Sequence, residues 1–510
     1  MNGHSLIITN GIIHTLNPQM PSAQTIVVRD GRISAIGGKE LVDEARDVSQ
    51  VIDLDGACAV PGFIDTHVHF TITGLGLMAI DVSGVGDLAE VLRRIERYAA
   101  ALPADGLVLC SGFQPELNPD KRFPSPEEMD RASEGRPVYV MDRSGHWSAV
   151  NEAALALLPV NENTEGIGRD AEGAFTGVLT GQANLAAFDN LWKVFKAQVG
   201  TREAFERAAK LAVEGGITTV HALDDLEDVE AMLALQDELP VRLVPYTQSH
   251  DVAAVRRLGL RQIGGCGQVA LDGDFGPRTA ALLEPYAGEP PTHGTLYFSD
   301  DDVKAYVEQA HAAGMQVALH TVGSAAIEQL LQAYENALAN YPRRDHRHRI
   351  EHFELPAPGQ AERARQLGVL LALQPAFNYF WPHDGEYPQL VGEERAGRVD
   401  PIRSVLDAGV EVAFGSDSPV TPMQPVLWMH AAVNHSNPRE RIDAATALKL
   451  CSAAGARFAF EEADKGTLEA GKLADITILD RDPLQVPASE IKDVHVLKTI
   501  VGGRVVYDRR

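Results

Sequence analysis

A short pattern recurs through the middle of the chain: a polar helix end, a glycine, then an apolar run. It occurs as EGGITTVHAL, AAGMQVALHTV, RQLGVLLALQP and DAGVEVAFGSD, with Gly216, Gly314, Gly368 and Gly409 at the expected helix ends. Glycine is favoured there because it readily adopts the left-handed conformation that stops a helix. The near-continuous Val, Ile, Leu and Ala that follow are typical of strands buried on both faces. The pattern therefore predicts helices alternating with parallel strands.

Four more apolar segments, PGFIDTHVHF, VRLVPYTQ, GCGQVALDGD and HRHRIEHFE, bring the candidate strands to eight. Eight parallel strands with intervening helices predict a (β/α)8 barrel of the TIM type in the α/β class, with an open doubly wound sheet as the alternative. The polar residues favour the barrel, because they fall where strands end and barrel enzymes place their sites there. These residues are His67, His69, His221, His320, His352, Gln374 and Asp417.

The two chain ends resemble each other and differ from the middle. Residues 5–36 and 466–507 contain β-branched runs interrupted by Asn-Gly, Asp-Gly and Gly-Gly pairs, which predict hairpins. Neither end is long enough for a core of its own, so we expect residues 1–58 and 465–510 to form one composite β-sandwich domain. Two unrelated edge hairpins are the alternative. The barrel then takes residues 59–464.

A long insertion, roughly residues 75–200, separates the first barrel strand from ITTVHAL. It is too long for a single crossover helix, and it contains strand-like runs of its own, GLVLCSG and RPVYVMD. We expect this insertion to form a cap over the barrel mouth.

Charge and cysteine content exclude several functional classes. The net charge is −26, and such a surface repels phosphate backbones and anionic headgroups, so nucleic-acid and membrane roles are not expected. Cys58, Cys110, Cys266 and Cys451 form no CxxC pair and are expected to be reduced core thiols. The start of the chain lacks a signal-peptide pattern, and no apolar run spans a bilayer. We expect a soluble cytoplasmic protein with a small-molecule substrate; whether it forms a homodimer stays open.

His67 and His69 are two residues apart at the end of an apolar strand. On a strand this spacing places both imidazoles on one face, about 7 Å apart at Cα, close enough to share a metal ion. A chance pair is the alternative in a chain with 17 histidines. The other strand-end residues favour metal binding because they would converge on the same mouth.

The motifs PGFIDTHVHF, HTVGSAA, HRIEHFE and FGSDSPV, with the tail GTLEAGKLADITILD, resemble the metal-dependent amidohydrolase superfamily. The closer resemblance is to amidohydrolase family 3, in the branch of N-substituted formamide deformylase-like enzymes, through RSGHWSAVNEAAL, DGDFGPRTAALLEPY and QPAF. The resemblance implies a divalent metal, with zinc expected and Mn²⁺ or Fe²⁺ as alternatives. The ligands that it implies are His67, His69, His320, Asp417 and, with an ambiguous role, His352.

One position departs from the family pattern. Related members carry a lysine on strand 4 that can be carbamylated to bridge two metals, and alignment on Asp272-Gly273 puts Gln268 there. A neutral amide bridges two cations poorly, so the sequence predicts one ion, with Gln268 facing the pocket. Cys266 is an alternative soft ligand, although a buried structural thiol is the preferred interpretation.

The resemblance implies that a metal-activated water attacks the substrate. Asp417 would accept its proton and pass it to the leaving amine, and His352 and His146 would polarise the carbonyl. Phe377 and Trp381, in the loop AFNYFWPHD, suit an apolar substrate portion or pack against the cap. Arg278 could bind a substrate carboxylate or tie down its loop. Gln268 and Gln374 complete the candidate substrate contacts.

The expected function is therefore hydrolysis of a non-peptide C–N bond in a linear amide or formamide. The first alternative is a deaminase of a heterocycle, which Gln268 favours. Such deaminases carry a proton-shuttling Glu three residues after the strand 5 histidine, where this chain has Gly323. The second alternative is a non-catalytic scaffold with the same fold, although a complete ligand set argues against it.

Overall fold

The computed structural model describes residues 5–44, 48–143, 147–160 and 164–509. The chain divides into two compact units, Met1–Phe70 with Ala209–Arg510, and Thr71–Ala208.

The first unit contains eight barrel strands, labelled here in chain order. They are β1 (Phe63–Val68), β2 (Ile217–Asp225), β3 (Arg242–Gln248), β4 (Gln262–Gly265), β5 (Gln316–Gly323), β6 (Arg349–Leu355), β7 (Leu370–Leu373) and β8 (Val412–Phe414). Their order in the sheet is β8-β7-β6-β5-β4-β3-β2-β1, and every neighbouring pair is parallel. The two edge strands meet, since Thr66 Oγ1 donates to the Phe414 carbonyl at 2.9 Å and Val68 bridges Ser418. This nearly closed parallel barrel confirms the predicted class and excludes the open sheet.

Helices connect and surround these strands. In the first unit they are Leu41–Glu44, Leu226–Leu235, Val252–Arg257, Asp300–Ala312, Ser324–Asn340, Gln360–Leu367, Ala376–Phe380, Tyr387–Val391, Glu393–Ala396, Ile402–Asp407, Pro425–Val433, Ala444–Leu450 and Ala453–Phe458. The four glycines of the recurring pattern all have positive φ: 81° at Gly216, 83° at Gly314, 71° at Gly368 and 80° at Gly409. Each turns the chain from a helix into a barrel strand, as the pattern predicts.

Strands from both chain ends share one sheet. They are Ser5–Asn17, Met20–Arg29, Arg32–Gly37, Gln50–Asp53, Cys58–Pro61, Ile476–Leu479, Val496–Val501 and Arg504–Asp508. Cys58–Pro61 joins the two ends, because it pairs with Ser5–Asn17 on one side and Ile476–Leu479 on the other. An apolar layer that includes Ile8, Ile26 and Ile478 packs on this sheet. A two-layered sandwich stays a prediction.

The turn predictions at the ends have different outcomes. Asp30-Gly31 and Gly502-Gly503 each form the expected tight turn between paired strands. The prediction of a hairpin at Asn10-Gly11 is wrong, because Ser5–Asn17 continues through it as one strand. The register shifts there, and Asn10 has a φ of 65°, so the pair forms a bulge rather than a reversal.

The second unit has its own six-stranded sheet. Its strands are Ile80–Asp81, Val108–Phe113, Val138–Asp142, Ser148–Val150, Ile167–Arg169 and Phe175–Leu179. The helices of this part of the chain are Phe70–Gly76, Leu88–Ala99, Pro126–Ser133, Glu152–Leu155, Gly181–Val199 and Thr201–Glu214. The predicted strand-like runs correspond to Val108–Phe113 and Val138–Asp142, which pair in parallel. A cap role for this unit stays a prediction.

Two further observations concern the whole described chain. All four cysteines are buried and free of disulfides. Within the described ranges, no helix combines the length and the apolar character that crossing a bilayer requires.

Candidate metal centre

The carboxyl ends of the barrel strands bring imidazole, thiol and carboxylate groups together. His67 lies on β1 and His69 just beyond it, His320 lies on β5, and His352 lies on β6. Two more donors follow strand ends: Cys266 comes directly after β4, and Asp417 follows β8. Three overlapping sets of these residues have their donor atoms within 4.8 Å of one another: His67, His69 and Cys266; Cys266, His320 and His352; and His67, His352 and Asp417.

Cys266 lies at the centre of this set. Its Sγ is 3.3 Å from His67 Nε2, 3.6 Å from His320 Nδ1 and 3.8 Å from His352 Nε2. Zinc bonds of roughly 2.0–2.3 Å in a tetrahedron separate a nitrogen and a sulfur ligand by about 3.5 Å. Each of the three separations is therefore close to the distance between two ligands of one ion.

Contacts on the outer side of three imidazoles fix their tautomers. Nδ1 of His67 is 2.7 Å from Glu351 Oε2, and Nε2 of His320 is 3.3 Å from the Gly273 carbonyl. Nδ1 of His352 is 2.9 Å from Gln374 Oε1. Each partner is an acceptor, so a neutral imidazole carries its proton on this outer nitrogen. The inner nitrogens that face Cys266 then present lone pairs, which is the arrangement that a metal ion requires.

Asp417 faces the two histidines of the first strand. Its Oδ1 is 3.3 Å from His67 Nε2 and 3.1 Å from His69 Nε2. This buried oxygen has no partner with hydrogen-bond geometry among the described residues. The loop holds it in place, because the Asp417 backbone N–H donates to the His67 carbonyl at 2.8 Å. A carboxylate oxygen opposed to an imidazole lone pair is repulsive unless a cation lies between them.

The electrostatics of the set favour positive charge at its centre. Burial alone would raise the pKa of the Cys266 thiol and of Asp417, but the surrounding histidines hold both pKa values well below their usual range. Burial opposes a charged His69 or His320, yet the neighbouring thiol and carboxylates raise the pKa of His69 to about 10 and of His320 to about 9. Protons or metal cations supply that charge, so the donors fit a divalent ion.

A buried ion pair supports His67 from behind. Arg349 donates to both oxygens of Glu351 at 2.8 Å, and the two side chains are fully buried. Arg349 also donates to the Thr66 carbonyl at 2.7 Å and to His221 Nδ1 at 3.0 Å. Burial and the Arg349 charge lower the pKa of His221 far below its usual value, so it stays neutral. His221 thus lies behind the donor set rather than within it.

Gln268 is not part of the donor set. The strand expected over GCGQVALDGD is Gln262–Gly265 instead, and Gln268 lies in the 3-10 turn Gly267–Val269. The residue is exposed, and its amide donates to the Gln248 carbonyl. Positive φ values of 113° at Gly264 and 122° at Gly265 end the strand early. Gln268 therefore does not lie on the strand where alignment on Asp272-Gly273 placed it, and Cys266 is the residue next to the histidines.

The structure gives different outcomes for the remaining predicted site residues. Gln374 and Phe377 lie against His352: Gln374 accepts from its Nδ1, and the Phe377 ring stacks on it at 6.0 Å. The Trp381 and Phe377 rings are nearly perpendicular, with their centroids 5.7 Å apart, and Trp381 is 43% exposed. Arg278 ties down its own loop by donating to the Ala287 and Pro290 carbonyls. His146 lies outside the described residues.

Sequence reasoning missed Glu351 and Arg349 as supports of the site. The signal was present in HRHRIEHFE, where Arg349 and Glu351 stand two residues apart. Every residue of the strand that they share, Arg349–Leu355, is buried. Buried charges require partners of opposite sign, so this spacing was an indication of a built ion pair.

An eight-stranded parallel barrel with such donors at its strand ends defines a class, the barrel hydrolases that use metal ions. A family model described as "Amidohydrolase family" matches residues 50–507, so the chain belongs to the amidohydrolase family. The chain is 28% identical to N-substituted formamide deformylase of Arthrobacter pascens over 99% of this chain and 98% of the relative. It is 27% identical to putative amidohydrolase YtcJ of Bacillus subtilis over 98% of both.

A solved structure agrees with this assignment. An uncharacterized metal-dependent hydrolase from Pyrococcus furiosus superposes with a TM-score of 0.79 at 27% identity. The superposition covers 94% of this chain and 100% of that structure. Family and structure together support a hydrolase.

Proposed function

We propose that this protein hydrolyses the C–N bond of a small linear amide or N-formyl compound, with divalent metal ions held at the barrel mouth. The observation that carries the proposal is the convergence of three imidazole lone pairs on Cys266, with Asp417 beside them. The similarity to a relative named N-substituted formamide deformylase favours a formamide over other amides.

We further propose two adjacent ion positions that share the Cys266 sulfur. His67, His69 and Cys266 would form one, and Cys266, His320 and His352 the other. The expectation of one ion rested on a neutral Gln268 at the bridging position. A thiolate supplies the negative charge that offsets repulsion between two cations. The mixture of imidazole and thiolate donors suits zinc better than Mn²⁺, and a reduced Fe²⁺ site is the less favoured choice.

The residues around the ions would have different roles in the reaction. A bound divalent ion lowers the pKa of water toward neutrality and polarises a carbonyl oxygen. Asp417 would accept a proton from the attacking water and return it to the leaving nitrogen. His352 would act as a ligand, because Gln374 turns its Nε2 lone pair toward Cys266.

The substrate pocket would favour an apolar substituent. Phe377 stacks parallel to His352, within 10° of its plane, and Trp381 continues the aromatic surface outward. An aryl or alkyl group on the amide nitrogen could pack on these rings while the carbonyl reaches the ions. Arg278 donates through Nη2 to the Ala287 and Pro290 carbonyls of its own loop, so we do not assign it a substrate contact.

Gln268 favoured a deaminase as a residue of strand 4, but it lies beyond that strand and its amide donates to the Gln248 carbonyl, so we rank deamination second. At Gly323, a Cβ would lie 2.1 Å from the Ala281 carbonyl. A proton-shuttling Glu therefore has no room at that position. The scaffold alternative rested on Gln268 too. A cytoplasmic location and a homodimeric state stay proposals.

Turnover measurements test the proposed reaction. Purified protein incubated with N-benzylformamide should release formate and benzylamine, and a chelator should abolish the release until zinc is restored. His67→Ala should be inactive, whereas His495→Ala, an exposed histidine, should match the parent. Ammonia release from purines or pyrimidines with inert amides would contradict the proposal.

A further inference from the structure

A second group of imidazole, thiol and carboxylate side chains lies in the sheet formed by the two chain ends. His14 lies on Ser5–Asn17, Cys58 begins the neighbouring strand Cys58–Pro61, and Asp482 follows Ile476–Leu479. Their donor atoms all lie within 4.8 Å of one another. Cys58 pairs with Ile12 on one side and Leu479 on the other, so the strand order itself assembles the three residues.

The geometry joins the imidazole directly to the carboxylate. His14 Nε2 is 3.0 Å from both Oδ1 and Oδ2 of Asp482. The Asp482 side chain is 6% exposed and the His14 side chain 18% exposed. The backbone N–H of Leu484 donates to Asp482 Oδ1 at 2.9 Å and fixes the carboxylate. The group is therefore inside the sheet but open on the side of His14.

Cys58 distinguishes this group from an ordinary ion pair. His14 and Asp482 would satisfy each other without any third residue, yet a fully buried thiol lies next to the carboxylate. The Cys58 Sγ contacts the Ala59 carbonyl at 4.0 Å, the outer limit for a sulfur hydrogen bond. A thiol in this position adds a soft donor to the nitrogen and oxygen donors of the pair.

We propose that His14, Cys58 and Asp482 form a second metal site that binds zinc or a similar soft divalent ion. Imidazole, thiolate and carboxylate are all zinc ligands, whereas Mg²⁺ and Ca²⁺ prefer oxygen donors throughout. The His14 side chain is 18% exposed, and a solvent molecule would complete the ligand set from that side. This site is independent of the barrel centre and of the proposed hydrolysis.

The site would link the start of the chain to its end. His14 and Asp482 are 468 residues apart in sequence, and an ion held by both would close the terminal sheet. Because the unfolded chain lacks a preformed site, the binding free energy of the ion would add to the stability of the fold.

Cobalt binding tests the site without any measurement of activity. The Cys266→Ser variant removes the thiol of the barrel centre, so a cobalt–thiolate absorption band can then come from Cys58. We expect Co²⁺ to produce this band in Cys266→Ser, and we expect Cys266→Ser/Cys58→Ser to lose it. Cys266→Ser/Cys110→Ser, which removes a buried thiol outside both groups, should keep it.

A second variant covers the case in which Cys58→Ser does not fold. His14→Gln changes a partly exposed side chain and should fold, yet in the Cys266→Ser background it should lose the cobalt band and show a smaller rise in Tm when zinc is added. Its turnover in the wild-type background should be unchanged. Absence of the band in folded Cys266→Ser, or its persistence after His14→Gln, would overturn the second site and leave the proposed hydrolase untouched.

Discussion

His67 Nδ1 lies 2.7 Å from Glu351 Oε2, and both side chains are completely buried. This contact joins the candidate metal centre to an ion pair in the barrel interior, because Glu351 also receives two hydrogen bonds from Arg349. One carboxylate therefore orients a candidate metal ligand and neutralises a buried cation.

Glu351→Gln should weaken both metal binding and the fold. The amide retains the size of the side chain but leaves the Arg349 charge without its partner, which should lower the free energy of unfolding by about 3–5 kcal/mol. The amide has one acceptor oxygen instead of two, so Arg349 and His67 compete for it, and the weaker support of His67 should reduce metal affinity roughly 10–100-fold. Chelator competition and urea unfolding measure the two effects.

Glu411→Gln provides the control for that experiment. It breaks an exposed pair with Arg457, which should change stability by less than about 1 kcal/mol and leave metal affinity alone. If Glu351→Gln behaves like this surface variant, Glu351 has no positioning role.

Asp417→Asn should reduce kcat by roughly 10²–10⁴-fold, because an amide cannot accept the proton from water. Metal should remain at the group that contains His320 and His352, since Asp417 is not part of it. Steady-state kinetics with metal analysis of the same preparation check both statements. Asp464→Asn, on the surface, should match the parent. Retention of full turnover by Asp417→Asn would exclude Asp417 as the proton acceptor.

Phe377→Ala should raise KM for aryl-substituted formamides roughly tenfold and leave KM for N-methylformamide nearly unchanged. The reason is that the ring stacked on His352 offers surface only to a substrate with an apolar group. Tyr379→Ala is the matched control. Tyr379 lies on the same helix as Phe377, but its ring contacts His430 instead of His352. Equal changes for both substrates would show that Phe377 only supports His352.

Acid should destabilise the protein partly through His435. Burial lowers the pKa of His435 from 6.5 to about 4, although its Nε2 lies 3.1 Å from the Asp400 carbonyl and its Nδ1 accepts from Asn437. The unfolded chain therefore binds a proton at a higher pH than the folded chain, so stability is present above pH 6.5 and is lost as pH falls toward 4.

The shift corresponds to about 3 kcal/mol from this residue. His435→Gln can keep a donor and an acceptor but does not titrate, so the fall in unfolding free energy between pH 7 and pH 4 should be smaller by about that amount. Denaturant titrations across this range measure it. The exposed His495→Gln should not alter the slope, and an unaltered slope in His435→Gln would contradict the assignment.

The barrel and its mouth could be predicted because they depend on local signals. Gly216, Gly314, Gly368 and Gly409 each end a helix with positive φ, and the histidines that follow the strands lie at one rim by geometry alone. For Cys266, the sequence left a soft metal ligand as the alternative and favoured a structural thiol. The end of β4 depends on the backbone conformations of Gly264 and Gly265. The Asp272-Gly273 motif, seven residues downstream, carries no information about those conformations.

Two other outcomes also depend on contacts between residues that are distant in sequence. Asn10-Gly11 has the sequence of a tight turn, but pairing with strands on both sides keeps Ser5–Asn17 continuous and turns the signal into a bulge. For Arg278, the sequence left a substrate contact and a loop contact equally open. The structure shows the loop contacts, which depend on Ala287 and Pro290 coming near through the fold.

The most direct test of the central claim is the number of metal ions at the barrel mouth and its dependence on Cys266. The measurement is best made in the His14→Gln variant, so that the terminal sheet does not contribute. We predict two zinc ions per chain, fewer when Cys266→Ser is added, and still two when Cys110→Ser is added instead. A count of zero or one, or a count of two that Cys266→Ser leaves unchanged, would contradict a centre built around the shared thiolate.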